Sequence, residues 1–507
     1  MESRPNIVYI LADDLGYGDV SCFNPAGKIP TPNIDRLAAG GMRFTDAHAT
    51  SSVCSPSRYS ILTGRYNWRT RLQSGIVQVY GDPLIAADRL TVARFLKQNG
   101  YSTACIGKWH LGQGWDFEPT GDFLPDRCKD LSPVATGRQK ALWREAFARP
   151  TTGGPTTRGF DSYFGVDVPN WPPYCYIEND RTAGIPSEFL PARLLGNNQG
   201  SLPGPALAGW NFEQLLPAFA GRACGYIREQ AGRRAPFFLY MPLTSPHTPL
   251  AVNGPWKGKS GLNLYADFVM ETDAMVGRVL DALEECAVAD RTVVVFASDN
   301  GCAHYIGVPE LEAMGHFPSA HYRGYKSDVW DGGHRIPFIV RWPGVTPPGS
   351  ACGQLACLSD LMATCSDMLQ AHLPDDAGED SVSLIPLLQG RDFPVRDYVV
   401  HHSIEGKFAI RSGKWKLVLC AGSGGWTSPT DDAAARQGLP SIQLYDMEAD
   451  PGERTNLEAV RRDIVDSLVD ALERFVTEGR STPGTRQCND APVDIWKGSD
   501  KTDACDA

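Results

Sequence analysis

Asn6-Ile7-Val8-Tyr9-Ile10-Leu11-Ala12 is an almost unbroken apolar run that stops at Asp13-Asp14-Leu15-Gly16. Its Val, Ile and Tyr side chains favour a pleated, packed surface. A short apolar run without polar alternation reads as a strand buried on both faces, as in a parallel sheet covered by helices. Two adjacent carboxylates at the end of such a strand repel each other. A solvated turn or a helix cap would tolerate them. A metal ion would relieve them, and ligands of open α/β sheets gather at the carboxyl ends of strands.

The same pattern recurs along the chain. Residues 101–107, 236–241, 292–297 and 337–341 read as further buried strands. Helical periodicity fills residues 33–39, 91–98, 212–231 and 264–285 between them. This alternation predicts an α/β fold with a mostly parallel mixed sheet sandwiched by helices. Residues 112–159, rich in Pro, Gly, Asp and Arg, read as a long surface excursion near an active-site mouth. After Pro394 the pattern changes. Residues 408–411 and 415–419 flank Ser412-Gly413-Lys414, a hairpin signal. Residues 443–446 add a strand, and 459–477 have a helical period closed by Gly479. We therefore expect a catalytic domain over 1–394 and a small C-terminal domain, an antiparallel sheet plus a helix, over 395–507.

Composition narrows the function. The 507 residues are 42% apolar and 21% charged, as in globular proteins, and exceed one ordinary core. A net charge of −11 without a basic stripe argues against nucleic-acid binding. No stretch approaches the roughly 20 apolar residues of a membrane helix. Met1-Glu2-Ser3-Arg4-Pro5 runs into the first strand without a signal-peptide core, so a cytoplasmic location is expected. The alternative is a periplasmic or secreted protein whose leader has been removed. The 14 cysteines form no Cys-x-x-Cys pair and read mostly as buried, reduced thiols.

Five segments carry chemistry. Cys54-Ser55-Pro56-Ser57-Arg58 opens a short helix closed by Gly64, so residue 54 lies at a helix start suited to an anion. Ala297-Ser298-Asp299-Asn300-Gly301 follows a strand, like Asp13-Asp14. Asp13, Asp14, Asp299 and Asn300 together make an all-oxygen ligand set, suited to calcium or magnesium rather than zinc. Lys108 and His110 follow a third strand and share one face of an extended stretch. In Ser245-Pro246-His247-Thr248-Pro249, two prolines fix the backbone around His247, as proton donation to a leaving alcohol requires. Lys326 precedes Trp330-Asp331-Gly332-Gly333-His334-Arg335. Each also has a bland reading: a buried cysteine at a turn, surface lysines, a core histidine, a rigid proline turn.

In their order along the chain these segments resemble the type I, formylglycine-dependent sulfatases of the alkaline-phosphatase superfamily, most of all the bacterial carbohydrate sulfatases. The run from Leu444-Tyr445-Asp446 through Asp450-Pro451-Gly452-Glu453 to Asn456-Leu457 extends the likeness to the C-terminus. The resemblance implies that a maturation enzyme oxidises Cys54 to formylglycine. It also implies a calcium ion on Asp13, Asp14, Asp299 and Asn300. Arg58 would anchor the hydrated aldehyde, and Lys108 and Lys326 would bind sulfate. His247 would protonate the leaving oxygen and His110 would take a proton from the second hydroxyl. His334 belongs to a structural signature.

The substrate implied is a sulfated glycan or another sulfate ester. The loop Trp171–Arg181 resembles sugar-holding loops, with Asp180 and Arg181 as candidate contacts. Tyr66–Leu72 reads either as a pocket wall or as a packed loop. The expected activity is exo-acting release of sulfate from a 6-sulfated galactose or N-acetylgalactosamine. Two alternatives stand beside it: a formylglycine-dependent phosphonate monoester or phosphodiester hydrolase, and an inactive glycan-binding protein on the same scaffold.

Overall fold

The structure is a computed structural model describing residues 4–121, 123, 135–191, 194–195 and 201–497. The chain forms two compact units. Met1–Asp13 with Val77–Val295 make the first, and Asp14–Ile76 with Phe296–Ala507 make the second.

The first unit is built on a mixed, mostly parallel sheet. In chain order its strands are β1 (Asn6–Asp13), β2 (Ser102–Lys108), β3 (Ser162–Val166), β4 (Ile177–Glu178), β5 (Arg181–Thr182), β6 (Phe237–Pro246) and β7 (Thr292–Ser298). Thr292–Val295 of β7 belong to this unit. The spatial order is β7-β1-β6-β2-β3-β4-β5. β1, β6, β2 and β3 run parallel, while β4 and β5 form an antiparallel hairpin at the edge. All residues of β1 and β6 are buried, as their unbroken apolar runs require. The helices Leu215–Ala231 and Leu264–Glu285 pack on each other and on β6, and Val92–Gln98 packs on β2. Asn263 caps the longest helix by accepting from the Ala266 N–H at 3.0 Å.

Two glycines let the central strands approach closely. A Cβ on Gly107 would stand 1.8 Å from the Pro242 carbonyl oxygen, and one on Gly165 1.8 Å from the Gly107 carbonyl oxygen. Gly107 and Gly165 are register partners, so β2 and β3 can be joined only without side chains there. The expected excursion after Gly112 is partly a packed helix, Gly137–Phe147. Its Trp143 and Phe147 are buried in a cluster with Tyr80 and Phe123, which outweighs the local Pro and Gly content. Residues 122 and 124–134 of that stretch lie outside the described residues.

In the second unit, Met42–Phe44 pairs antiparallel with Phe338–Arg341 and parallel with Ser350–Cys352. The small C-terminal sheet is antiparallel throughout, β8 (Val399–His402), β9 (Phe408–Ser412), β10 (Trp415–Val418) and β11 (Gln443–Asp446), in that order. The helix Arg462–Glu478 buries Val465, Leu468, Leu472 and Phe475 against it. Among the described residues no disulfide forms, and no helix is long and apolar enough to cross a membrane.

Candidate active site

The carboxyl ends of the parallel strands carry the chemistry of the first unit. β1 ends at Asp13, β2 at Lys108, and β6 is followed directly by His247. Lys108 Nζ donates to Asp13 Oδ2 at 2.8 Å, and neither side chain is exposed. One ligand atom of Asp13 and one of His247 lie within 4.8 Å of each other. The His247 Nδ1–H donates to the Thr248 carbonyl oxygen at 2.5 Å, which turns Nε2 away from its own backbone. Both prolines flanking this histidine follow cis peptide bonds. His110 has φ +53°, in the left-handed region. Its Nε2–H donates to the Val77 carbonyl oxygen at 3.1 Å, so Nδ1 is the basic nitrogen. Trp171 packs edge-on against the His110 ring at 5.8 Å.

The second unit holds the other part of the expected set. Cys54 is the first residue of the helix Cys54–Thr63, which is buried along its length and closed by Gly64 in the left-handed conformation. Lys326 Nζ stands 3.6 Å from Cys54 Sγ and 2.7 Å from Asp14 Oδ1. One carboxylate oxygen of Asp14 lies within 4.8 Å of that sulfur. Arg58 forks onto a single oxygen of Asp299, with Nε at 3.0 Å and Nη2 at 2.7 Å from Oδ2. Asp299 Oδ1 accepts from the Asp14 N–H at 3.2 Å, and Asn300 Nδ2 donates to Asp14 Oδ1 at 2.8 Å. Asp14 itself has φ +63°.

Ser298, given no role from sequence, ties this cluster together. Its hydroxyl accepts from the Leu15 N–H at 3.0 Å and donates to the Asn300 carbonyl oxygen at 2.7 Å. The donor set is tested by Asn300. Its Oδ1 is buried and meets no hydrogen-bond donor among the described residues. An orphaned amide oxygen among carboxylates fits a hard cation.

Other predicted positions have their described contacts elsewhere. Thr151 N–H donates to the Asp180 carbonyl oxygen at 2.7 Å, and exposed Arg181 donates to the Ala148 carbonyl oxygen at 3.2 Å. Their described contacts are therefore with the Ala148–Thr151 segment rather than with Lys108, His110 or His247. Tyr66–Leu72 is a packed loop: Arg69 pairs with buried Asp380 at 2.7 Å and lies over the Trp68 ring at 4.3 Å.

His334 is structural, as expected. It stacks on His401 at 3.9 Å and shares a hydrogen bond with His48, Nδ1 to Nδ1 at 3.1 Å. These three imidazoles could in geometric terms hold a metal ion. The Lys416 ammonium, 3.2 Å from His334 Nε2, opposes that use. Burial lowers all three histidines below their ordinary range, and neighbouring His401 and Lys416 depress His334 further. Lys416 also joins Asp331 at 2.8 Å and Glu453 at 2.7 Å, which explains the Asp-Pro-Gly-Glu run. Burial works to raise Asp331, but Lys416 and the histidines hold it well below the usual carboxylate range. Burial dominates at Glu453 and pushes it up to about 7.

The Sulfatase family matches residues 5–371, and the chain belongs to it. It is a sulfuric ester hydrolase. An N-acetylgalactosamine-6-O-sulfatase of Bacteroides thetaiotaomicron is 33% identical over 492 residues, 94% of this chain and 93% of the relative. Human arylsulfatase A is 32% identical over 473 residues, 89% and 83% of the two chains. Among solved structures, a Bacteroides thetaiotaomicron protein from work on the metabolism of multiple glycosaminoglycans superposes with a TM-score of 0.78. It is 29% identical and covers 94% of this chain and 99% of its own. The family typically uses formylglycine and calcium.

Proposed function

We propose that this hydrolase removes sulfate from a sulfated carbohydrate, with a 6-sulfated galactose or N-acetylgalactosamine at a chain end as the favoured unit. The observation that carries this reading is the 33% identity to an N-acetylgalactosamine-6-O-sulfatase over nearly the whole of both chains. Arylsulfatase A, at similar identity, supports the ester chemistry and leaves the alcohol open.

The residues divide by role. Oxidised and hydrated, residue 54 would supply two hydroxyls on one carbon, a nucleophile for sulfur and a second oxygen through which sulfate could be released. Asp13, Asp14, Asp299 and Asn300 would hold calcium, which supplies positive charge against sulfate oxygens. Lys108 and Lys326 add ammonium groups for the charge that builds on those oxygens. His247 delivers a proton to the departing alcohol oxygen. His110, with Nδ1 as its basic nitrogen, removes the proton of the second hydroxyl. Arg58, held by Asp299, orients the hydrated aldehyde.

The test is sulfate release from a panel of sulfated mono- and disaccharides, with an aryl phosphonate alongside. Release from 6-sulfated N-acetylgalactosamine or galactose is expected, and Cys54→Ala abolishes it. Phosphonate turnover exceeding sulfate turnover would sink the reading. So would full activity in a protein whose residue 54 is shown by peptide mass to be unmodified cysteine.

A further inference from the structure

Four neighbouring parallel strands of the first unit deliver polar residues at their carboxyl ends, and those of only three strands have a role so far. β1 delivers Asp13, β6 His247, and β2 Lys108 with His110. β3 ends at Val166, the register partner of Lys108, and the next residue is Asp167. The ladder continues past the strand ends: Trp109 N–H donates to the Val166 carbonyl oxygen at 3.0 Å and His110 N–H to that of Asp167 at 3.1 Å. Asp167 is therefore bound backbone to backbone with the histidine that serves as base. It is 8% exposed, more than Lys108 at 0%, His110 at 2% or His247 at 6%.

The fold satisfies this side chain only in part: among the described residues Asp167 forms no ion pair, and its Oδ1 is buried without a hydrogen-bond donor. Such an atom is costly to bury, and folding alone does not repay that cost. Burial pushes the carboxyl up to about 6, against the pull of the His110 backbone N–H, of Lys108 and of the Gln113 amide. Near neutrality it can thus accept or donate a hydrogen bond.

A carboxyl group is a poor neighbour for sulfate and a good one for a neutral hydroxyl. Its position along the sheet agrees. Strands stand about 4.8 Å apart, so the end of β3 lies about 14 Å from the end of β1 and its Asp13. That distance is on the scale of the sugar carrying the ester rather than of the sulfate. Trp171, four residues on in the same loop and packed on His110, adds an aromatic surface of the kind that sugar rings cover.

We propose that Asp167 is a specificity-determining residue that hydrogen-bonds a hydroxyl of the sulfated sugar. The inference rests on the carbohydrate reading above. A site built around a buried polar partner discriminates strongly, because a substrate lacking the matching hydroxyl leaves that partner unpaired.

The experiment compares wild type, Asp167→Asn and Asp167→Ala, all carrying formylglycine, on 6-sulfated N-acetylgalactosamine and on 4-methylumbelliferyl sulfate, which has no sugar hydroxyls. Asp167→Asn should lower kcat/KM on the sugar about 100-fold or more and change the aryl sulfate less than about threefold. Among deoxy analogues of the sugar sulfate, one should lose its sensitivity to the substitution. Thermal unfolding of each variant identifies any folding defect, and the aryl sulfate rate serves as the internal control. Equal losses on both substrates, or no loss on either, overturn the proposal. A wild type that cleaves the aryl sulfate but no sugar sulfate retires the proposal and leaves the hydrolase standing. A wild type that cleaves neither removes both.

Discussion

Lys326 holds its ammonium group 3.6 Å from the sulfur of Cys54. The thiol is at the start of a helix and the ammonium is nearly buried, so positive charge is fixed at residue 54 before any substrate arrives. Preorganised charge of this kind is worth about 100- to 1000-fold in rate when one donor is removed. Lys326→Met should lower kcat/KM for any sulfate ester by that factor. Peptide mass should show residue 54 converted to the same extent as in wild type. A variant within about threefold of wild type would remove Lys326 from the reacting centre.

Asn300 offers a test of the metal that needs no turnover. A chelator-stripped sample should gain thermal stability when calcium is added. At 100 times Kd the gain is about 2.7 kcal/mol if only the native state binds. Asn300→Leu removes the orphaned amide oxygen and should lose most of this shift. An unchanged shift in the variant would place the ion elsewhere.

The buried histidines of the second unit set an acid limit on stability. His48, His334 and His401 all lie below their ordinary range because burial disfavours the imidazolium. The unfolded chain takes up protons on them near pH 6.5 while the folded chain does not. Their contribution is therefore full above about pH 6.5 and falls as pH drops toward the folded values, by at most about 1.4 kcal/mol per pH unit for each histidine. Glu453, pushed up to about 7, opposes this with the other sign, since the folded chain holds its proton where the unfolded chain does not, so the histidine part is read from the difference between wild type and variant. Urea midpoints between pH 7 and pH 5 measure this, and His401→Asn should flatten the profile. A pH profile unchanged in the variant would contradict it.

Arg69 and Asp380 form a pair with no exposed side-chain surface. Burial works against the Asp380 carboxylate, yet Arg69 and the hydrogen bonds around it keep it below the usual range. Removing one partner strands the other, so Asp380→Ala should cost about 3–5 kcal/mol in denaturant titration. The specific activity of the folded fraction should be unchanged, because the pair holds the Tyr66–Arg69 loop and touches no reacting group.

What the sequence discloses here follows from local pattern. Unbroken apolar runs located β1, β2, β6 and β7, and turn residues located the β9–β10 hairpin. The polar residues just past those strands, from Asp13 to Asn300, were legible because strand ends concentrate ligands. β3 was not read as a strand, since Ser162-Tyr163-Phe164-Gly165-Val166 mixes polar and glycine residues with apolar ones. Gly165 is there for close approach to Gly107, a long-range demand that no window of sequence contains. Asp167 was missed with its strand. β8 was hidden similarly, because Val399-Val400-His401-His402 owes its burial to the histidine stack and to Tyr66.

The left-handed backbone at Asp14 and His110 has a consequence for anyone reshaping this enzyme. Each position costs about 1–2 kcal/mol relative to a glycine, which accepts that conformation freely. Glycine would relieve that strain at either position, but it would also take the carboxylate from the nearly buried Lys326 ammonium or empty the buried place of the His110 ring, and each of those losses is larger than the gain. The two side chains therefore hold their own backbone in a conformation it would otherwise leave, and the strain cannot be engineered away without discarding the contacts that impose it.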